Sequence, residues 1–372
     1  MIVIADDITG AAEMAGIAHS HGLPVRLCCS PLCCDTVAAE GTAAATVIAT
    51  DTRSMTEEEA VAETQRIASH LPKQGGAGGE SLFKKTDSAL RGHVVAELSA
   101  LMKVMGYQRT VYLPANPSKG RIIRAGTYYI IKEGREIPIS ETAFSYDPEF
   151  PATTSILKER FPDAAQKGIL MPDAESKEDI QRIIADYDDG KTLFAGAADL
   201  FEAWLIGTTR ITRDTKNTRP SRETKSPLTS TLLLCGSTQS KPLALGIPVT
   251  EMPRAIYDGS KDITSWQEQA YSVYEQQGSL MITIPFHHRT GKEVAVHLRE
   301  MTATLIQHLV EKRQPQQLII EGGASAFATL QHLGWSELEM VSQIAPGVIK
   351  TKAPNGTFVI MKPGSYSWGS LF

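Results

Sequence analysis

Two carboxylates stand side by side at Asp6 and Asp7, where the apolar run MIVIA ends and before Thr9, Gly10 and a run of small residues. Capping the helix that follows requires one acceptor, from Asp or from Thr9. That leaves the other acid unexplained by local structure. Paired acids at the end of a buried strand can accept hydrogen bonds from substrate hydroxyls and help remove a proton from one of them. In a covalent alternative, Asp6 becomes phosphorylated as the nucleophile of a phosphatase or other phosphotransferase. That chemistry needs a second acid two residues on, where this chain has Ile8.

A second group follows in KKTDSALRG, which joins Lys85, Asp87, Ser88 and Arg91 within seven residues. Arginine binds a carboxylate through two parallel hydrogen bonds. Asp87 can accept from two hydroxyls, and Ser88 can donate or accept. A polyhydroxy acid needs this set. The plainer reading is a capped helix start with a surface ion pair, which contributes little.

A third type of motif lies in the second half. LIIEGGASAF, LLLCGSTQS and MKPGS each end an apolar strand in small residues. Gly322 and Gly323 let backbone N–H groups approach an anion, and a helix N-terminus favours negative charge. Ser237 adds a donor, and Gly364 marks the third turn. Three such turns in one domain fit a nucleotide phosphate chain.

Other chemistries lack their residues. There is no Walker A loop, since the glycine-rich GGAGGES, Gly75 to Ser81, has no lysine and no helix after it. No G-x-G-x-x-G follows a strand, and no H-E-x-x-H is present. Four of the five cysteines cluster as Cys28, Cys29, Cys33 and Cys34, without C-x2-C spacing, so no metal ligands are assigned. His287 and His288 read as loop surface. The net charge of −5 over 372 residues, with no long basic run, opposes nucleic-acid binding. No stretch of about 18 apolar residues and no secretory signal are visible, so no membrane association and a cytoplasmic location are expected.

These residues need a frame that places strand ends together. MIVIA, PVRLCC, ATVIATDTRS, ESLFKK and RTVYLPAN read as strands, separated by AAEMAGIAHSHG, TEEEAVAETQRIASHL and a helix bearing Val94, Leu98, Leu101 and Met105. Thr56 and Glu59 form a capping box. Alternating strands and helices predict a mostly parallel sheet covered on both faces. Ligands then collect at the carboxyl ends of the strands, which places DDITG, DTRS, KTDSALRG and PANPSKGR around one crevice. Two apolar runs around Glu133 and Gly134 predict a hairpin, a candidate dimer contact near Tyr128. The polar stretch from Thr208 to Pro227 reads as a linker. The expectation is two α/β domains with mostly parallel sheets, 1–207 and 228–372, joined by a linker over 208–227.

The ordered set ADDITGAAE, KTDSALRGH, PANPSKGR with GTYY, EGGASA and KPGS resembles the four-carbon acid sugar kinase family, over nearly the whole chain except the linker. The resemblance implies an ATP-dependent kinase that phosphorylates a hydroxyl of a threonate- or erythronate-like acid. Asp6, Asp7, Thr9 and Gly10 would line the sugar-acid site, completed by Lys85, Asp87, Ser88 and Arg91. Arg91 or Lys85 would hold the substrate carboxylate. Ser237, Gly322, Gly323, Ala324, Ser325 and Gly364 would contact ATP. Domain closure would bring the γ-phosphate to the acceptor hydroxyl, with Mg²⁺ neutralising phosphate charge. Asp7 and Asp87 are the catalytic candidates. Among Asp6, Asp7 and Asp87, Asp7 is favoured as proton acceptor because a neighbouring carboxylate raises its pKa. The family often carries an acid and a threonine after the double glycine, where this chain has Ala324 and Ser325. That departure keeps a non-catalytic sugar-acid sensor open as an alternative.

Overall fold

The computed structural model describes residues 1–30, 44–72, 81–147, 149–209, 230–236, 243–285, 291–364, 368, 371 and 372. Cys33, Cys34, Gly75 to Glu80, Ser237, His287 and His288, and the expected linker from residue 210 onward lie outside the described residues. The chain divides into two compact units. One comprises Met1–Val25 and Pro31–Asn217, the other Arg26–Ser30 and Thr218–Phe372.

The first unit is built on short, wholly apolar runs that can only be satisfied with both faces covered. Its strands are β1 (Ile2–Ala5), β3 (Ala45–Ala49), β4 (Leu82–Lys85), β5 (Arg109–Leu113), β9 (Ile169–Leu170) and β10 (Thr192–Gly196). They run parallel in the order β3-β1-β4-β10-β5-β9. The chain leaves β1 for β3 on one side and returns to β4 on the other. Such a reversal opens a crevice at the carboxyl ends of β1 and β4, and the residues there are Asp6, Asp7, Thr86 and Asp87.

Strand pleating separates the two lysines of β4. Lys84 meets Glu97 of the helix Val94–Met105, Nζ to Oε2 2.6 Å, with both side chains buried. The hydroxyls of Thr52 and Thr64 donate to the same carboxylate oxygen. Lys85 lies on the opposite face, against the helix Ile8–Ser20, where a Cβ on Gly10 would come within 3.2 Å of its Nζ.

That helix begins at Ile8, three residues earlier than the sequence pattern predicts, because Asp7 caps it and its carboxylate accepts from the Gly10 N–H at 2.9 Å. Gly10 therefore sits in the first helical turn rather than in a loop, and it is required by close approach: a Cβ there would lie 2.7 Å from Asp7 Oδ1. The helix Glu57–His70 carries the expected Thr56–Glu59 capping box. The hairpin at Glu133–Gly134 is present between β7 (Thr127–Lys132) and β8 (Arg135–Pro138), with β6 (Arg121–Arg124) pairing on the other side of β7. Tyr128 is buried, and its hydroxyl donates to the Ser88 carbonyl.

In the second unit, β11 (Thr231–Cys235), β12 (Val249–Glu251), β13 (Leu280–Thr283), β14 (Gln317–Glu321) and β17 (Phe358–Lys362) run parallel in the order β12-β13-β11-β14-β17. Beyond β17 the pairing turns antiparallel through β16 (Val348–Lys352) and β15 (Glu337–Ala345). The strand Val25–Cys28, β2, read from sequence as part of the first domain, pairs its Arg26, Leu27 and Cys28 with β15. Leu233, Met281, Ile319, Val348 and Ile360 form a buried apolar cluster on this sheet. Here β11 and β14 are neighbours while their following connections run to opposite sides, so their carboxyl ends, Cys235-Gly236 and Glu321-Gly322, mark a second crevice.

Candidate functional sites

The first-unit site is organised by a residue the sequence reading did not single out. Arg53 lies in the single 3-10 turn Thr52–Ser54 that follows β3. Its Nε and one terminal nitrogen donate to Asp6 Oδ2 at 2.9 and 2.8 Å. It also contacts both oxygens of Asp7, at 3.1 and 3.2 Å, and approaches Asp87 Oδ1 at 3.6 Å. One guanidinium thus ties together acids from the ends of β1 and β4. DTRS stood among the motifs placed at this crevice, but nothing in its four residues marks Arg53 as the centre.

Arg91 grips Asp87 with two parallel hydrogen bonds, Nε to Oδ2 at 3.0 Å and Nη2 to Oδ1 at 2.9 Å. The Ala89 N–H adds a third at 2.8 Å. Lys85 donates to the Thr86 carbonyl at 2.7 Å, and the Thr9 hydroxyl donates to Asp7. Gly92, at φ +95°, lies close enough that a Cβ would sit 3.4 Å from Asp6 Oδ2. Asp6, Asp7, Thr9, Gly10, Lys85, Asp87 and Arg91 therefore form one cluster around Arg53. Ser88 lies beside it, its hydroxyl taken by Arg121.

The three acids are shifted in different directions, for physical reasons. Burial acts to raise each. At Asp87, Arg53 and Arg91 outweigh it and hold the carboxyl far below the usual range. At Asp7, Arg53, Lys85 and the Thr9 hydroxyl also win, and the pKa falls. At Asp6 burial prevails, aided by the charge of Asp7 against Arg53, and the pKa rises. The expectation that a raised pKa would single out Asp7 is corrected: its oxygens are bonded and its pKa lowered. Asp6 has the raised pKa, and its Oδ1 is buried without a hydrogen-bond donor.

The second-unit site is made of small residues. Gly236 N–H donates to the Glu321 carbonyl at 3.2 Å, and Gly322 N–H to the Lys362 carbonyl at 2.8 Å. A Cβ on Gly236 would lie 2.3 Å from Ser325 Oγ and 3.0 Å from the Glu321 carbonyl oxygen. Gly322, at φ 101°, precedes the helix Gly323–His332, whose start has no side-chain cap. Ser325 is buried and Ala324 exposed. Beneath the turns, Lys362 pairs with buried Glu321 at 2.6 Å and donates to the Pro363 and Gly364 carbonyls. Burial, helped by Glu321, pushes the Cys235 thiol up to about 12. The structure thus gathers Gly322, Gly323 and Ser325 with Gly236, and links Gly364 to them through Lys362. Sequence reading passed over Glu321 and Lys362, although EGG and MKPG displayed both.

Two α/β units, one with charged side chains at its switch point and one with glycine turns at its own, define a pairing of a polar-ligand domain with a nucleotide-type domain. Comparison with known families assigns the same halves. Residues 1–167 match a sugar-binding N-terminal domain and residues 249–366 a nucleotide-binding C-terminal domain. The chain belongs to the four-carbon acid sugar kinase family.

A 3-oxo-tetronate kinase of Pectobacterium atrosepticum is 31% identical over 157 residues, 42% of this chain and 35% of that protein. A D-threonate kinase of Bordetella bronchiseptica is 30% identical over 41% of this chain and 36% of its own length. These matches thus span about a third of those relatives. A 3-oxo-tetronate kinase of Actinobacillus succinogenes aligns over 100% of this chain and 97% of its own, at 23% identity. Crystal structures of proteins from Salmonella typhimurium LT2 and Haemophilus influenzae share the fold, with TM-scores of 0.73 and 0.68 at 19% identity. Each covers 100% of this chain, and 97% and 98% of their own. No described helix is long and apolar enough to cross a membrane.

Proposed function

We propose that this protein is an ATP-dependent kinase that phosphorylates a hydroxyl of a four-carbon sugar acid of the threonate or 3-oxo-tetronate class. The observation that carries this reading is Asp6 Oδ1, a buried acceptor with no donor beside carboxylates whose other oxygens are bonded. A buried acceptor left unpaired costs about 1–3 kcal/mol, and a substrate hydroxyl would satisfy it. Because burial raises its pKa, Asp6 is also the acid best placed to take that hydroxyl's proton as the phosphoryl group is transferred. Asp7 and Asp87 stay ionised and orient, while Arg53 and Lys85 keep the three acids from repelling one another.

ATP fits the second unit because Gly236 and Gly322 pack the ends of two neighbouring strands closely and the helix that starts at Gly323 has no side-chain cap on its first N–H groups. Gly323, Ala324 and Ser325 would present first-turn N–H groups to phosphate, with Gly364 nearby through Lys362. Mg²⁺ would neutralise phosphate charge when bound. Among the described residues no group of three ligands is set for a metal, and Glu321 is engaged with Lys362, so no step is assigned through it. The proposed partition is a sugar-acid domain over 1–207 and a nucleotide domain over 228–372, acting in the cytoplasm on small molecules, with the β7–β8 hairpin as the contact of a homodimer.

The test is incubation with ATP, Mg²⁺ and a panel of four-carbon sugar acids while ADP is followed. Acid-dependent ADP release supports the kinase. An aspartyl-phosphate formed from a phosphate monoester supplied in place of ATP, with release of its alcohol, would instead identify Asp6 as a nucleophile. Thermal stabilisation by a sugar acid without ADP release would identify a sensor.

A further inference from the structure

A sugar acid brings a carboxylate, and the cations expected to hold it are already engaged. Arg91 has its Nε and one terminal nitrogen on Asp87, and its other nitrogen is 3.6 Å from Asp147. Lys85 donates to a backbone carbonyl and faces the acids of the cluster. Arg53 serves three carboxylates. Arg160, at the wall of the nearby 280 Å³ cavity, bonds the carbonyls of Pro151, Leu90 and Phe150.

Arg121 differs from all of these. It opens β6, where its backbone exchanges hydrogen bonds with Asn116 at 2.8 and 3.1 Å. Its guanidinium has no carboxylate partner among the described residues. It donates to the hydroxyl of Ser88, the residue after Asp87, and lies 5.6 Å from the centre of the Phe144 ring. The same ring holds Arg91 at 6.0 Å. A guanidinium carries five N–H donors, so most of this fork is left for a ligand. The ring and the hydroxyl hold it beside Asp87, within reach of a small molecule whose hydroxyls meet the carboxylate cluster.

We propose that Arg121, together with the Ser88 hydroxyl, anchors the substrate carboxylate and makes the site select acids over neutral polyols. The assignment moves the role expected of Arg91 or Lys85 to a residue 30 positions beyond Arg91 in the chain. It rests on the sugar-acid reading above.

The test measures binding of threonate and of its neutral amide by calorimetry, for the intact protein and for Arg121→Gln, Arg121→Lys and Ser88→Ala. The intact protein should bind the acid at least about tenfold more tightly than the amide, as expected for a charge-assisted bidentate contact. Arg121→Gln should weaken the acid by roughly 10–100-fold and leave the amide nearly unchanged. Arg121→Lys should keep only part of the preference, since an ammonium lacks the planar fork. Ser88→Ala should lower it by a few-fold.

If Arg121→Gln keeps the preference for the acid, or weakens both ligands equally, the inference is overturned while the kinase reading stands. Should that variant not fold, an unchanged preference in both Arg121→Lys and Ser88→Ala overturns it. If the intact protein neither binds nor phosphorylates any sugar acid, the functional reading fails first and the anchor with it.

Discussion

The two units put a site in the same architectural place and fill it by opposite means. Each crevice opens at the carboxyl ends of parallel strands where the winding reverses. In the first unit it holds Asp6, Asp7, Asp87, Arg53, Lys85 and Arg91, most of them bonded to one another. In the second the turns offer Gly236, Gly322 and Gly323, and the charges Glu321 and Lys362 lie buried beneath them. On the proposed function, the difference follows from what each unit would recognise. Hydroxyls at particular positions need acceptors fixed by side-chain geometry. A phosphate chain needs close backbone approach and small residues at the turns, and at Gly236 the contact with Ser325 and the Glu321 carbonyl leaves no room for a Cβ.

The largest effect should come from the oxygen with no donor. Asp6→Asn should lower kcat by roughly 10²–10⁴-fold and leave the Kd for ATP unchanged, as read by steady-state kinetics and calorimetry. Equal loss of both would remove the division of labour between the units.

Next is the residue that holds the first cluster together. Arg53→Met leaves three acids without their shared cation and should destabilise the protein by roughly 3–5 kcal/mol in urea unfolding. A loss below about 1 kcal/mol would show that the cluster behaves like surface charge.

Asp87→Asn should be acid-dependent. Its folded pKa is depressed, so its contribution is present above the unfolded value near 3.9 and is lost as pH falls toward the folded value. The variant should lose roughly 3 kcal/mol at pH 7, and the gap should close below about pH 4. Asp7 has the same sign. Asp6 has the opposite sign: its pKa is raised, so its contribution is lost as pH rises through the folded value.

In the second unit the contrast is sharpened by one methyl group. Gly236→Ala forces Ser325 or the Glu321 carbonyl to move, at a cost of about 1–3 kcal/mol. The Kd for ATP should rise about 10–100-fold while the sugar-acid Kd is unaffected. Smallest is a chemical readout: with its pKa near 12, native Cys235 should be alkylated at pH 7.5 at least about a hundredfold more slowly than a free thiol.

Local signals were legible wherever the cause was local. The Thr56–Glu59 box and the Glu133–Gly134 hairpin need only near neighbours, and the sequence pattern finds both. The strand-end motifs that make up the two clusters could also be read from the chain, because strand ends followed by small or charged residues can be recognised one motif at a time. Tertiary structure decided how the charges divide. Arg53 meets Asp6 across 47 positions, Arg121 meets Ser88 across 33, and β2 joins a strand more than 300 residues away. The pKa ordering of Asp6 and Asp7 depends on how burial of each competes with one guanidinium, and a sequence specifies neither burial nor distance until the strands have paired.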